Sequence, residues 1–364
     1  MQVITGTGLY VKGSVSGDID IEDRLDAGVL RIEGEETSTT TISIAEIVNG
    51  TIILGTDFFT FGNDFAGNLI LGNGVPVGSS VVVNGNLTSP GTINLSGYPL
   101  AGLLRINNDA SGSIINGGAA SGFITLGFYP SRNFSGIATF SSLSGTIQTQ
   151  SGANISGTLK ILGDVTGAIT MERFTAQGLD MGGDLESGGR ISIGGAVSGD
   201  IEVGGSVAGD ISVAGDVTGA VTVNRVLEST GRVMIDGLCD GAIAIGRETE
   251  SLSLIRMTEG LGVNGSITVN DSGGDFDAGG TIHVGATKTV PPIVFDGSIL
   301  IKKESGGPGG GDLNGKIIVR GCHATDDDLD ICICGTNNGT VTLIQTGCPP
   351  LPTLVGWSCV SGCP

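Results

Sequence analysis

Carboxylates and thiols are the groups in this chain whose spacing best suits chemistry. The segment HATDDDLD carries Asp326, Asp327, Asp328 and Asp330 close together, and NDSGGDFDAGG carries Asn270, Asp271, Asp275 and Asp277. Hard oxygen ligands gathered on glycine-rich loops suit Ca²⁺, but neither segment supplies the bidentate glutamate that closes an EF-hand loop. Neither repeats the Gly-Gly-x-Gly-x-Asp unit of calcium-binding β-rolls. Solvated acidic loops are therefore the first expectation, and Ca²⁺ is the one cofactor the sequence suggests.

The thiols are unevenly placed. Cys239 stands alone, whereas Cys322, Cys332, Cys334, Cys348, Cys359 and Cys363 crowd into the tail. An even set in a loop-rich, proline-rich tail points to disulfides, and so to an oxidising extracellular or cell-surface setting. No paired C-x2-C knuckle occurs, which leaves zinc a weaker alternative. Spacing alone leaves the disulfide pairing open.

Histidine is scarce: His283 lies in TIHVG and His323 in GCHATDDD. No Ser/His/Asp, Cys/His or H-E-x-x-H arrangement can be assembled from them, so no catalytic residue is expected.

The elements that would position these groups are strands. Residues 191–220 read ISIGGAVSGD IEVGGSVAGD ISVAGDVTGA, three ten-residue blocks nearly in register. Ile191, Ile193 and Val197 recur as Ile201, Val203 and Val207, then as Ile211, Val213 and Val217. Alternation with period two puts these side chains on one side of an extended chain. Glycine at the fifth and ninth places is expected to make tight corners, either by leaving room or by accepting positive φ. Related blocks occur at 10–21 and 159–171, with looser copies at 81–95 and 261–270. VNGTIILG and VVVNGNL are expected as strands with Asn-Gly turns at Asn49-Gly50 and Asn84-Gly85. A run with Phe58, Phe59, Phe61 and Phe65 is expected to pack in or over the core.

A ten-residue unit cannot bury its own apolar side chains, so copies must stack. No longer period fits a propeller blade. The expected fold is all-β: a right-handed parallel β-solenoid (β-helix) with short glycine-rich coils of two or three blocks. The expected organisation is a solenoid over residues 1–315, then its last strands with a disulfide-rich C-terminal cap over 316–364. In DICICG, Ile331 and Ile333 facing the core would turn Cys332 and Cys334 outward, and Trp357 would cover the rod end.

Composition narrows the function classes. Glycine is 66 of 364 residues, without the Gly-X-Y triplet of collagen. Lys plus Arg is 17 against 37 Asp plus Glu, a net charge of −20. That charge disfavours nucleic acid and anionic lipid as partners, and no apolar run is long enough for a membrane helix. Lys and Arg are too sparse along the chain to mark the groove of a β-helical polysaccharide lyase or hydrolase. Ser192, Glu202, Ser212 and Thr222, the outward positions of successive blocks, lack the constant threonine of an ice-binding face.

The glycine-rich Val/Ile blocks resemble the stacked repeats of bacterial surface β-solenoids, such as adhesin and autotransporter passenger regions. At the level of V-x-G-x-V-x-G-x-I they also resemble the bactofilin core, although the cysteine-rich end departs from that cytoplasmic family. The resemblance implies a non-enzymatic extracellular structural or adhesive protein: a stalk, surface-layer component or filament subunit. Its partners would be further copies, other surface proteins or polysaccharide. The alternative is a β-helical carbohydrate-active enzyme or polysaccharide-binding module.

Overall fold

A computed structural model describes residues 4–5, 8–22, 25–34, 38–45, 48–55, 64–115, 118–175, 178–262, 264–269, 276–277, 279–285, 297–301, 312–320, 330–333 and 337–344. The chain divides into two units, Met1–Asp180 and Met181–Pro364. Each is a parallel β-solenoid with no helix among the described residues.

The second unit has the simplest coil. Strands Arg190–Ile193, Asp210–Val213, Arg232–Ile235, Leu254–Met257, Thr281–Val284, Lys316–Arg320 and Thr340–Ile344 form one parallel sheet. Strands Ile201–Val203, Val221–Val223, Ala242–Ile245, Ser266–Val269, Ser298–Ile301 and Asp330–Ile333 form a second. Ile191 pairs with Ile211 and Ile201 with Val221, so one coil here takes two sequence blocks. Between sheets the coils touch through single residues along the rows Val197–Val217–Cys239 and Leu185–Val207–Leu227–Thr249, and the first row widens to two residues where Leu238 and Cys239 pair with Gly260 and Leu261. A block is therefore one sheet strand, a glycine bend and a one-residue bridge.

The first unit has the same plan. One sheet stacks Leu25–Ile32, Val48–Leu54, Ser80–Val83, Leu103–Ile106, Phe123–Leu126, Thr146–Thr149 and Ala168–Met171. The other stacks Ile19–Ile21, Thr41–Ile44, Asn68–Leu71, Thr92–Asn94, Ser113–Ile115, Ile137–Phe140 and Thr158–Ile161. Coil length varies here too: Leu103 pairs with Phe123, two blocks on, whereas Thr51 pairs with Ser80, almost three blocks on.

The core follows from the alternation. Ile191, Ile193, Val197, Ile201, Val203 and Val207 are all buried, as are their counterparts in neighbouring coils. Each aliphatic side chain removed from water contributes about 1.5–3 kcal/mol, and β-branched residues suit the pleat. Phe65, Phe134 and Phe174 fill corners of the first unit. Phe58, Phe59 and Phe61 lie outside the described residues.

Glycine in the regular blocks serves close approach rather than positive φ. A Cβ on Gly219 would collide with the carbonyl oxygen of Gly199, and one on Gly241 with that of Gly219. Neither glycine has positive φ. The expected Asn49-Gly50 turn is also replaced: both residues lie within strand Val48–Leu54. The register shifts opposite them between Asp26 and Val29, and a Cβ on Gly50 would strike the Gly28 carbonyl. The glycine there admits a β-bulge in the neighbouring strand. Asn84-Gly85 does end strand Ser80–Val83.

Much of the acidity stitches coils together. Asp216 Oδ1 accepts the Leu238 N–H at 2.8 Å, Asp240 Oδ1 the Asn264 N–H at 3.0 Å, and Asp200 Oδ1 the Ala220 N–H at 2.8 Å. In the first unit a corner row runs Asp64, Asn86, Asp109, Asn133. There Asn86 Nδ2 donates to Asp64 at 2.8 Å, Asp109 N–H to Asn86 at 3.1 Å and Asn133 N–H to Asp109 at 2.7 Å. Such bonds satisfy backbone donors that the bends leave out of the sheet ladders.

Candidate functional site

The acidic clusters singled out in the sequence fall largely outside the described residues. Asp271, Asp275, Asp326, Asp327 and Asp328 are not among them. Asp277 is exposed, just after the buried bridge residue Phe276, and Asp330 opens strand Asp330–Ile333. Among the described residues no group of three or more His, Cys, Asp or Glu side chains is placed to hold a metal ion.

Of the six clustered cysteines, Cys332 is described. It pairs with the outward Leu300, is half-exposed, and is disulfide-bonded. Cys322, Cys334, Cys348, Cys359 and Cys363 lie outside the described residues, as do His323 and Trp357. Cys239 replaces valine in a corner row and is buried; its Sγ–H donates to the Gly241 carbonyl at 3.5 Å. Burial pushes its thiol up to about 11, so it stays protonated and unreactive at neutral pH.

The outward side of the second unit's first sheet carries the most concentrated chemistry. Five of the chain's 17 Lys and Arg residues lie on its strands: Arg190, Arg232, Arg256, Lys316 and Arg320. His283 joins them from strand Thr281–Val284. Backbone pairing sets their order. Arg190 pairs with Asp210 and Asp210 with Arg232; Arg256 pairs with His283, which pairs with Ile318, two residues before Arg320. The strands of the second sheet carry no Lys or Arg.

Two places on this face have shape or charge of their own. A polar groove of about 380 Å³ is lined by Ser187, Arg190, Asp210, Thr230 and Arg232, with the glycines of the bend as its floor. Thr230 Oγ1 is held by the Ala208 carbonyl at 2.8 Å, which fixes one wall. Further along, burial, then Arg320 and Arg256, push His283 below the ordinary imidazole range, so it is neutral at pH 7. Its Nε2 and the Nε of Arg256 are shielded from solvent and have no hydrogen-bond partner. Arg256 Nη2 lies 3.6 Å from Asp236 Oδ1. The arrangement can hold oxyanions: guanidinium groups donate in a fixed fork that fits carboxylate or sulfate.

The neighbouring corner is acidic. Burial, Glu250, Asp184 and Glu186 all push the Glu228 carboxyl upward. Glu250 also accepts the Ser229 N–H at 3.1 Å.

The expectation that Lys and Arg are too sparse along the chain to mark a groove took no account of the sheet that five of them share. They are scattered in sequence and share one sheet face, because a residue one coil away is the next neighbour in the sheet. The signal was present in the strand blocks RISI, RVMI, LIRM and KIIVR, where Lys and Arg occupy outward places, with His283 in TIHV between the last two. Using it required knowing which blocks share a sheet, and the insertions between blocks hide that.

Comparison with protein-family models, with curated proteins and with solved structures gave no match.

Proposed function

We propose that this protein is a non-enzymatic structural or adhesive component of the extracellular space or cell surface, a solenoid scaffold that displays its outward rows to surface polymers or to further copies. The observation that carries this reading is the economy of the coil. In the regular blocks most residues are assigned to the wall: inward aliphatics to the core, glycines to coil contact, and aspartates to inter-coil hydrogen bonds. Such a wall resists local opening, because each coil covers the next. A disulfide at Cys332 supports an oxidising setting. Electron microscopy of the native material tests the scaffold: ordered fibres, layers or surface-attached rods are expected, and dispersed monomers at high concentration would exclude the filament form.

One observation favours a second reading, a β-helical carbohydrate-active enzyme. A neutral imidazole between two arginines can accept a proton while the guanidiniums hold a sugar carboxylate. Release of reducing ends from a panel of acidic polysaccharides, lost in His283→Gln, would establish that reading in place of the first.

A further inference from the structure

In a chain of net charge −20, the first sheet of the second unit gathers five cations, with Asp210 and Asp236 the carboxylates set against them. Arg190, Arg232, Lys316 and Arg320 are exposed, and Arg256 and His283 are half-exposed. Among the described residues only Arg256 of these is ion-paired, at 3.6 Å to Asp236. Shielded polar atoms without a partner are costly, and the Arg256 Nε and His283 Nε2 are in that state. The exposed Arg190, Arg232, Lys316 and Arg320 are the donors that an oxyanion on this face can reach.

We propose that this face binds an acidic polysaccharide, laid across successive strands, with its charged groups received by Arg190, Arg232, Arg256, Lys316 and Arg320. Three features favour that ligand. Parallel strands are spaced about 4.8 Å apart, so the cations present charge at a low linear density that suits a polymer with at most one charge per sugar ring. Duplex DNA carries one charge per about 1.7 Å, and the net negative charge of the chain opposes so dense a polyanion. That opposition is short-ranged for a sparser polymer, because the screening length is about 8 Å at physiological ionic strength. Hydroxyl and carboxylate groups that can bind sugar hydroxyls stand among the cations: Asp210 lies between Arg190 and Arg232, and Thr230 shares their groove of about 380 Å³. That volume is within the usual range for a small-ligand site, about 300–1,000 Å³.

The inference takes from the scaffold reading only the place where such a polymer is met. Affinity electrophoresis of the full chain in gels containing polygalacturonate or neutral amylose tests it. Retardation by polygalacturonate alone is expected, weakening as salt rises. The double variants Arg256→Gln/Arg320→Gln and Arg190→Gln/Arg232→Gln are each expected to lose about tenfold in affinity. Thr222→Ala/Thr268→Ala, on the opposite sheet, is expected to match the unmodified chain, and circular dichroism checks that all variants fold. No retardation at low salt, or variants retarded like the unmodified chain, would overturn the proposal. So would equal retardation by duplex DNA. A changed sedimentation coefficient of the Arg256→Gln/Arg320→Gln protein by itself would also overturn it, since the face would then be a contact between copies. Shortening of the polymer during the run would sink the non-enzymatic reading while leaving the binding site in place.

Discussion

In the second unit the two sheets share one core and diverge outside it. The outward row of the first runs Ser192, Ser212, Met234, Arg256, His283, Ile318, Thr342. That of the second runs Glu202, Thr222, Ala244, Thr268, Leu300, Cys332. Inward, up to the last strand of each sheet, both rows are Ile and Val, with one Met at Met257, and have almost no exposure. The inward positions are constrained by packing, where a change of one methylene is felt. The outward positions are constrained only by what the surface must meet. The difference between the faces is therefore the place to look for function, and the likeness beneath them is the source of the fold.

The largest test of this contrast is its absence from the core. Ile255→Ala, under the basic face, and Ile243→Ala, under the neutral one, should each cost about 2–5 kcal/mol. Denaturant unfolding followed by circular dichroism measures both; a cost confined to one sheet would show that the two do not share a core. Next comes the corner glycine. Gly219→Ala should cost about 1–3 kcal/mol by overpacking against the Gly199 carbonyl, read as a lowered melting temperature. An unchanged melting temperature would mean the coils can separate locally without penalty.

A smaller effect separates the faces by pH. His283 is held below its ordinary value of 6.5. The unfolded imidazole therefore takes up its proton first as pH falls. Stability is complete above about 6.5 and is lost as pH drops from there through the folded value. His283→Gln should flatten the stability profile over that window, whereas Thr222→Ala on the second sheet should leave it as it was. The smallest effect is Thr222→Ala itself: within about 0.5 kcal/mol of the unmodified chain near neutral pH, measured by the same unfolding curves. A larger loss would place structural weight on a row that the contrast treats as free.

The all-β stacked architecture was legible because its signals are local. Period-two alternation, β-branched residues and recurrent glycine survive in any window one block long. The glycine role was only half legible. Sequence offered room at a tight corner and positive φ as reasons, and the contacts of Gly219 and Gly241 show that the room is needed by the neighbouring coil. Acidic residues were read as solvent-facing charge or cation ligands. Asp216 and Asp240 instead accept backbone N–H groups of the next coil, at 2.8 and 3.0 Å. Those donors lie a full coil further along the chain, and no local pattern announces them.

The sequence by itself determined which side chains turn inward, since alternation in an extended chain leaves no other choice. It also determined that a single block cannot stand alone, because its apolar face needs a neighbour. Tertiary structure decided which blocks become neighbours. A regular coil brings Ile191 to Ile211 in two blocks, but Leu254 pairs with Thr281 and Thr281 with Lys316, each across a longer stretch of chain. Insertions change the count along the chain while the sheet hydrogen bonds and the buried aliphatics hold the register. That register alone brings Arg256, His283 and Arg320 onto one face.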